Sequence, residues 1–232
     1  MKIKNLLAVA LVAVMIASCS NNQSYNNVPV ASQSDSTFYL IGYDYGKQLY
    51  ENRNQVAGDS VNLDLVAAGF VAGVKGNESK IEVEDAQTFI RNYFMAAQKK
   101  QAEENLVKAE DFLSENAKRP GVTSLADGKL QYEILKEGDG PKPTAEDKVE
   151  VDYVGTLIDG TEFDSSIKRG QPATFGVKGV IKGWTEILQL MPVGSKWKVY
   201  IHPDLAYGAR GNQSIPGNSA LIFEMELIDI KK

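Results

Sequence analysis

The hydrophobic period of this chain changes once, and the change falls at "KRPGVTSLADG", residues 118–128. Upstream, apolar residues recur every three or four positions, as on one face of a helix. Downstream they alternate, as on one face of a strand. A helix-period pattern does not sit as a strand, so the chain is predicted to fold as two units joined near this Pro- and Gly-containing stretch. Its 232 residues are enough for one large domain or two modest ones.

The upstream unit reads as three helices. In "DSTFYLIGYDYGKQLYE" the apolar residues keep helical spacing, with Asp35 as the expected N-cap. "NLDLVAAGFVAGVKG" opens on Asn62, a good cap, and closes at Gly76, which suits the position just past a helix end. In the third segment Ala86, Phe89, Ile90, Tyr93, Phe94 and Ala97 recur at three- and four-residue steps, extended more sparsely by Leu106, Phe112 and Leu113. This predicts one helix over 84–116, roughly 50 Å long at about 1.5 Å per residue. Two short helices cannot cover it, and its middle, "QKKQAEENLVKAE", is charged enough to stand in solvent. So small a helical unit has little core of its own. Homodimerisation through the short helices supplies the missing burial; a monomeric bundle is the alternative.

The downstream unit reads as a small antiparallel sheet with one helix packed on it, an α+β fold. "KLQYEIL" alternates Leu130, Tyr132 and Ile134 with polar residues, and "KVEVDYVGTL" puts Val149, Val151, Tyr153, Gly155 and Leu157 on one face. The Asp159-Gly160 pair is a hairpin signal. "SKWKVYI" and "ALIFEMELIDI" are further strands, and only "GWTEILQLMPVG" between them is suited to a short helix.

The first residues stand apart from both units. Lys2 and Lys4 precede the apolar run "NLLAVALVAVMIAS", which has the make-up of a signal peptide and is too short for an ordinary spanning helix. The run stops at Cys19, the chain's only cysteine, so no disulfide can form within the chain. "MIASC" resembles a bacterial lipobox, in which small residues precede a cysteine that becomes lipidated at the new N-terminus; an ordinary signal peptide with an incidental cysteine is the alternative. Lipidation at Cys19 implies a membrane-anchored envelope protein, on the inner or outer membrane, with its domains in the periplasm. "SNNQSYNNVPVASQSDS" then reads as a polar tether. The expected layout is a signal peptide over 1–18, a tether over 19–33, a helical dimerisation domain over 34–118, a linker over 119–128 and a sheet domain over 129–232. A formal net charge of -5 gives no reason to expect nucleic-acid binding.

"GTEFDSSIKRG", residues 160–170, sets Asp164 beside Ser165 and Ser166 with Lys168 and Arg169 downstream, as if for hydrolysis. A Ser-His-Asp device needs a histidine, and the one present, His202, lies at a strand end before Pro203, where a turn role is the simpler reading. No Gly-x-Ser-x-Gly elbow accompanies it. One His and one Cys offer no zinc ligand set. "GVKGVIKG" lacks the context and lysine spacing of a phosphate loop.

From about residue 129 to the end, the chain resembles the FKBP-type peptidyl-prolyl cis/trans isomerases. The resemblance is carried by "VDYVGTLIDGTEFDSS", "VIKGWTEILQLMPVGSK", "DLAYGARG" and "IPGNSALIFEMEL" in that order. "IGYDYGKQL", "AAGFVAGVKG" and the long helix resemble, more loosely, the dimerisation domain of the Mip/FkpA-like branch. The resemblance implies a proline pocket in which Tyr153, Asp164 and Tyr207 lie nearest the chemistry. Phe163, Phe175, Val180, Ile181, Trp184, Ile215 and Phe223 line it, and Arg169 stands near Asp164. It assigns the Tyr207 hydroxyl and the Ile215 backbone N–H as donors to substrate carbonyls, and Asp164 as acceptor from Tyr153 and Arg169. It implies unfolded or exported proline-containing polypeptides as partners and tacrolimus- or rapamycin-type inhibitors. No cofactor is implied, since X–Pro rotation breaks no bond. Ala173 replaces an aromatic common in eukaryotic members, and "GNQSIPGNS" is shorter than the usual flap. Without that context the same aromatics read as ordinary core. A non-catalytic holdase, binding unfolded clients in a dimer cleft, is the rival function.

Overall fold

The computed structural model describes residues 28–51, 62–82 and 84–231. The predicted signal segment, Cys19 and the start of the tether lie outside them. Among the described residues no helix is long and apolar enough to cross a membrane.

Helix α1 (Gln33–Glu51) is capped by Ser32 rather than by Asp35. Ser32 Oγ accepts from Asp35 N at 3.1 Å, and Asp35 Oδ2 accepts from Ser32 N at 2.9 Å. This reciprocal pair satisfies two backbone donors, so the expected cap residue sits one turn inside the helix. Phe38, Leu40, Tyr43 and Tyr45 are all exposed.

Helix α2 (Leu63–Val74) is capped as predicted, with Asn62 Oδ1 accepting from Leu65 N at 3.1 Å. At its end Gly76 N donates to Gly73 O and Asn77 N to Ala72 O, a Schellman closure. No residue of α2 is buried, although Leu63, Leu65, Val66 and Val74 are apolar.

Helix α3 (Ala86–Asn116) begins at Asp85, whose carboxylate accepts from Thr88 N, and ends just before Arg119-Pro120, where proline cannot continue a helix. Its buried residues are Ala102, Ala109, Leu113 and Asn116, while Phe89, Ile90 and Tyr93 are exposed. The charged stretch expected in solvent is therefore half-docked. Two alanines within it form a flat stripe that lets the helix approach the sheet domain. A polar knot fixes the helix end: Asn116 Nδ2 donates to Gln131 Oε1 at 2.8 Å, and Gln131 Nε2 donates to Leu113 O at 2.8 Å. Arg119 donates to Asn116 Oδ1 and Tyr200 Oη, and pairs with Glu133.

The stretch expected as a linker over 119–128 joins the sheet, because Thr123–Leu125 form strand β1 against β2 (Leu130–Lys136). The remaining strands are β3 (Lys148–Leu157), β4 (Glu162–Ser165), β5 (Ala173–Gly176), β6 (Lys196–Ile201) and β7 (Leu221–Lys231). Their order is β1-β2-β6-β7-β3-β4, all antiparallel, with β5 sharing the β3 edge with β4. Alternation along β3 works as read: Val149, Val151, Tyr153 and Gly155 face inward. Two short helices complete the unit, α4 (Ser166–Arg169) and α5 (Lys182–Leu188), and α5 lays Trp184, Ile187 and Leu188 onto that face, closing a core with Val199, Leu221, Phe223 and Met225.

Candidate active site

Tyr153 and Gly155 are neighbours on the inner face of β3, and the missing Gly155 side chain makes room for two of the site's rings. A Cβ there would lie 2.6 Å from Phe163 Cζ and 2.9 Å from Phe223 Cε1, so two rings occupy the volume a larger residue would need. Phe163 reaches that volume because β4 bulges. Gly155 opposes Asp164 and Thr156 opposes Glu162, leaving Phe163 as the extra residue. The bulge re-aims the Phe163–Asp164 pair away from plain alternation.

Trp184 comes from the first turn of α5 and is 4% exposed. Its ring lies 5.1 Å from Tyr153, 5.6 Å from Phe175 and 5.1 Å from Phe223, each near perpendicular. Phe163 meets Phe223 edge-on at 5.5 Å. Edge-to-face contacts set each positive ring edge against a negative ring face, which holds five rings in fixed mutual orientation. Val180, Ile181, Ala173 and Phe175 pack half-buried against this cluster, and Ile215 is buried within it.

At the rim, Asp164 Oδ2 accepts from the Tyr153 hydroxyl at 2.5 Å and Oδ1 accepts from Ser165 N at 2.8 Å. Arg169 donates to Asp164 Oδ1 and, at 2.8 Å, to the Tyr153 oxygen; its guanidinium also lies over the Tyr153 ring at 5.5 Å. Partial burial of Asp164 pushes its carboxyl up, but the hydrogen bonds from Tyr153 and Arg169 and the Arg169 charge outweigh this and hold it below the usual carboxylate range. Burial first, and then the bond to Asp164, push the Tyr153 phenol up to about 12. Neither group titrates near neutrality, as a general acid or base at work there must.

The hydrolase-like serines are structural. Ser165 caps the single-turn helix α4 (Ser166–Arg169), accepting from Lys168 N. The buried Ser166 hydroxyl accepts from Tyr153 N and donates to Asp152. His202 is buried and caps the turn after β6, its Nδ1 accepting from Asp204 N at 3.2 Å, with burial holding the ring below its ordinary pKa.

Tyr207 is 41% exposed, and its hydroxyl makes no hydrogen bond among the described residues. Burial, and next the Asp164 charge, raise its pKa. One expected donor is already engaged within its own loop. The Ile215 N–H is spent on Asn212 Oδ1 at 2.9 Å, because Asn212 folds the short loop back on itself. The Ile181 N–H, at the start of α5, has no partner among the described residues, although the sequence marks Ile181 only as a wall residue. Two concavities of about 390 and about 410 Å³ lie elsewhere, and no ring of the cluster lines either.

Residues 140–228 match the family model of the FKBP-type peptidyl-prolyl cis-trans isomerase, and residues 34–134 match that of the domain amino terminal to it. A protein from Aeromonas hydrophila named FKBP-type peptidyl-prolyl cis-trans isomerase FkpA is 38% identical over 97% of this chain and 93% of its own length. The chain belongs to the FKBP-type peptidyl-prolyl cis-trans isomerases. Another family member, the outer membrane protein MIP of Legionella longbeachae, is 44% identical over 88% of each chain. The crystal structure of FkpA from Escherichia coli is 34% identical and superposes with a TM-score of 0.65 over 88% of this chain and 99% of that one. An FKBP-type chain with a helical amino-terminal region followed by an antiparallel sheet domain is thus the architecture seen here.

Proposed function

We propose that this FKBP-type isomerase accelerates X–Pro rotation in exported polypeptides by seating proline on Trp184, with Phe163, Phe175, Val180, Ile181, Ile215 and Phe223 as walls. The observation that carries this reading is the five-ring cluster beside Asp164, whose ionised carboxylate is held in place by Tyr153 and Arg169. Rotation faces a barrier of about 18–20 kcal/mol because twisting breaks amide resonance. An acceleration of about 10⁴ asks for only about 5.4 kcal/mol of preferential transition-state binding. The twisted amide has less charge separation than the planar one and loses less on leaving water, so an apolar site favours it. The Tyr207 hydroxyl and the Ile181 N–H, both unengaged, can donate to substrate carbonyls and hold the flanking chain. Asp164 presents fixed negative charge beside the amide and transfers no proton. The same pocket suits tacrolimus-type macrolides.

The test is a proline-limited refolding reaction followed by fluorescence. Catalysis is expected to fall about tenfold with Asp164→Ala, which strands the Tyr153 and Arg169 donors, and about threefold with Tyr207→Phe, as expected for single hydrogen bonds to charged and neutral partners. Suppressed aggregation without any catalysis by the native chain would favour the holdase reading instead.

We further read residues 1–18 as a signal peptide, Cys19 as a lipid anchor, 19–33 as a tether, and 34–118 as a homodimerisation region serving the isomerase domain that follows. The unburied apolar side chains of α1 and α2 support the last assignment. A chain lacking only residues 1–19 is expected to scatter light as a dimer, and a monomer at micromolar concentration would refute it.

A further inference from the structure

The loop Gly208–Ser219 lies between the pocket residue Tyr207 and β7 and carries a second pocket residue, Ile215. Most of its hydrogen bonds are internal: Asn218 N donates to Gly208 O, Asn212 N to Ile215 O, and Asn212 Oδ1 accepts from Ser214 N and Ile215 N. Its hydrogen bonds to the rest of the chain, among the described residues, are two, and both end on α3. Asn105 Nδ2 donates to Gly217 O at 2.9 Å, and Asn218 Nδ2 donates to Ala102 O at 3.1 Å. At the same point Gly217 is packed tightly between the loop's own backbone and a side chain of the helix. A Cβ on Gly217 would stand 3.1 Å from Ala102 Cβ and 2.2 Å from Ala209 O, so only glycine fits between helix and loop. Ala102 is 7% exposed although charged neighbours flank it in sequence.

We propose that Ala102 and Asn105 of α3 are positioning residues for the isomerase, holding loop 208–219 so that Ile215 closes the pocket at its working position. The catalytic efficiency of the pocket is then set partly from a helix that contributes no pocket residue. The inference rests on the isomerase reading above. It also predicts that cutting the chain after Lys118, at the apparent domain boundary, costs activity on even a short proline peptide, because the cut removes the loop's fastening.

The experiment uses the full mature chain and a proline tetrapeptide. Asn218→Gly keeps the left-handed backbone (φ 54) and removes one fastening. Asn105→Leu keeps a helix former of similar size and removes the other. Each is expected to lower kcat/KM about fivefold, mainly through KM, as for one lost hydrogen bond. Far-UV dichroism and the urea midpoint should stay at native values, while amide exchange at Ile215 and Gly217 quickens. Asn105→Gln, which retains the donor, should recover part of the loss. Ala102→Leu, a wedge against Gly217 that leaves the helix intact, should mimic it. Unchanged kcat/KM and exchange in an otherwise active protein would overturn the proposal, as would losses that merely track the urea midpoint. A native chain without activity would bring down the isomerase reading and this one together.

Discussion

Gly155→Val is expected to leave a folded protein that has lost about 10²-fold of its isomerase efficiency. Valine suits a central strand better than glycine does, so the backbone of β3 gains what its pairing with β4 and β7 can use. The conflict is confined to the site, where the new side chain must displace Phe163 and Phe223, which lie within 3 Å of its Cβ position. Overpacking of this kind costs about 1–3 kcal/mol, partly offset by the strand preference. A misplacement of about 1 Å in a positioned site is worth about 10²-fold in rate. Peptide isomerisation and urea unfolding, measured on the same preparation, separate the two effects. Retained activity would mean that the Phe163–Phe223 contact has no part in binding proline.

Trp184→Ala is expected to damage both function and fold. The indole is the one ring in edge contact with Tyr153, Phe175 and Phe223 together, so its removal opens a cavity beneath all three. Truncations of this size cost about 3–5 kcal/mol, a large share of the roughly 5–15 kcal/mol that holds a domain folded. Trp184→Phe separates the roles, since a smaller ring refills much of the cavity but covers less of a proline. It should regain most of the unfolding free energy while remaining well below native activity. Equal recovery of both would make Trp184 a core residue only.

Much of the sheet is legible in the sequence because its long strands bury one face. Val149, Val151 and Tyr153 advertise β3 by alternation, as β6 and β7 do, and Trp184, Ile187 and Leu188 advertise α5 by helical spacing. Strands β1, β4 and β5, of three or four residues, are too short to show a period. The bulge at Phe163 breaks the alternation at the very point where the site is built. Asp35 attracts the eye as a cap because the capping box joins it to Ser32, which does the capping. The docked face of α3 is hidden by its chemistry, since alanine stripes between charges resemble a solvated helix. Backbone donors are invisible to a sequence altogether. The Ile181 N–H is unspent at the start of a helix, and the Ile215 N–H is spent because Asn212 folds its loop back on itself, which no residue pattern records.

The family resemblance names candidate pocket residues, while the structure adds how Tyr153 and Arg169 hold the Asp164 carboxylate. Asp164 is held by a phenol that stays protonated and a guanidinium that stays charged, so the site has fixed electrostatics over the physiological range. That arrangement fits a reaction in which charge redistributes within one amide and no proton is transferred.

The central claim, that this pocket turns the X–Pro amide, is tested most directly by the cis-to-trans relaxation of a proline tetrapeptide with and without the mature native chain. Uncatalysed relaxation takes tens to hundreds of seconds at 25 °C. A substoichiometric amount of protein should shorten it in proportion to enzyme concentration, and a tacrolimus-type macrolide should restore the uncatalysed rate. A fully folded chain that leaves the relaxation at its uncatalysed rate would contradict the account.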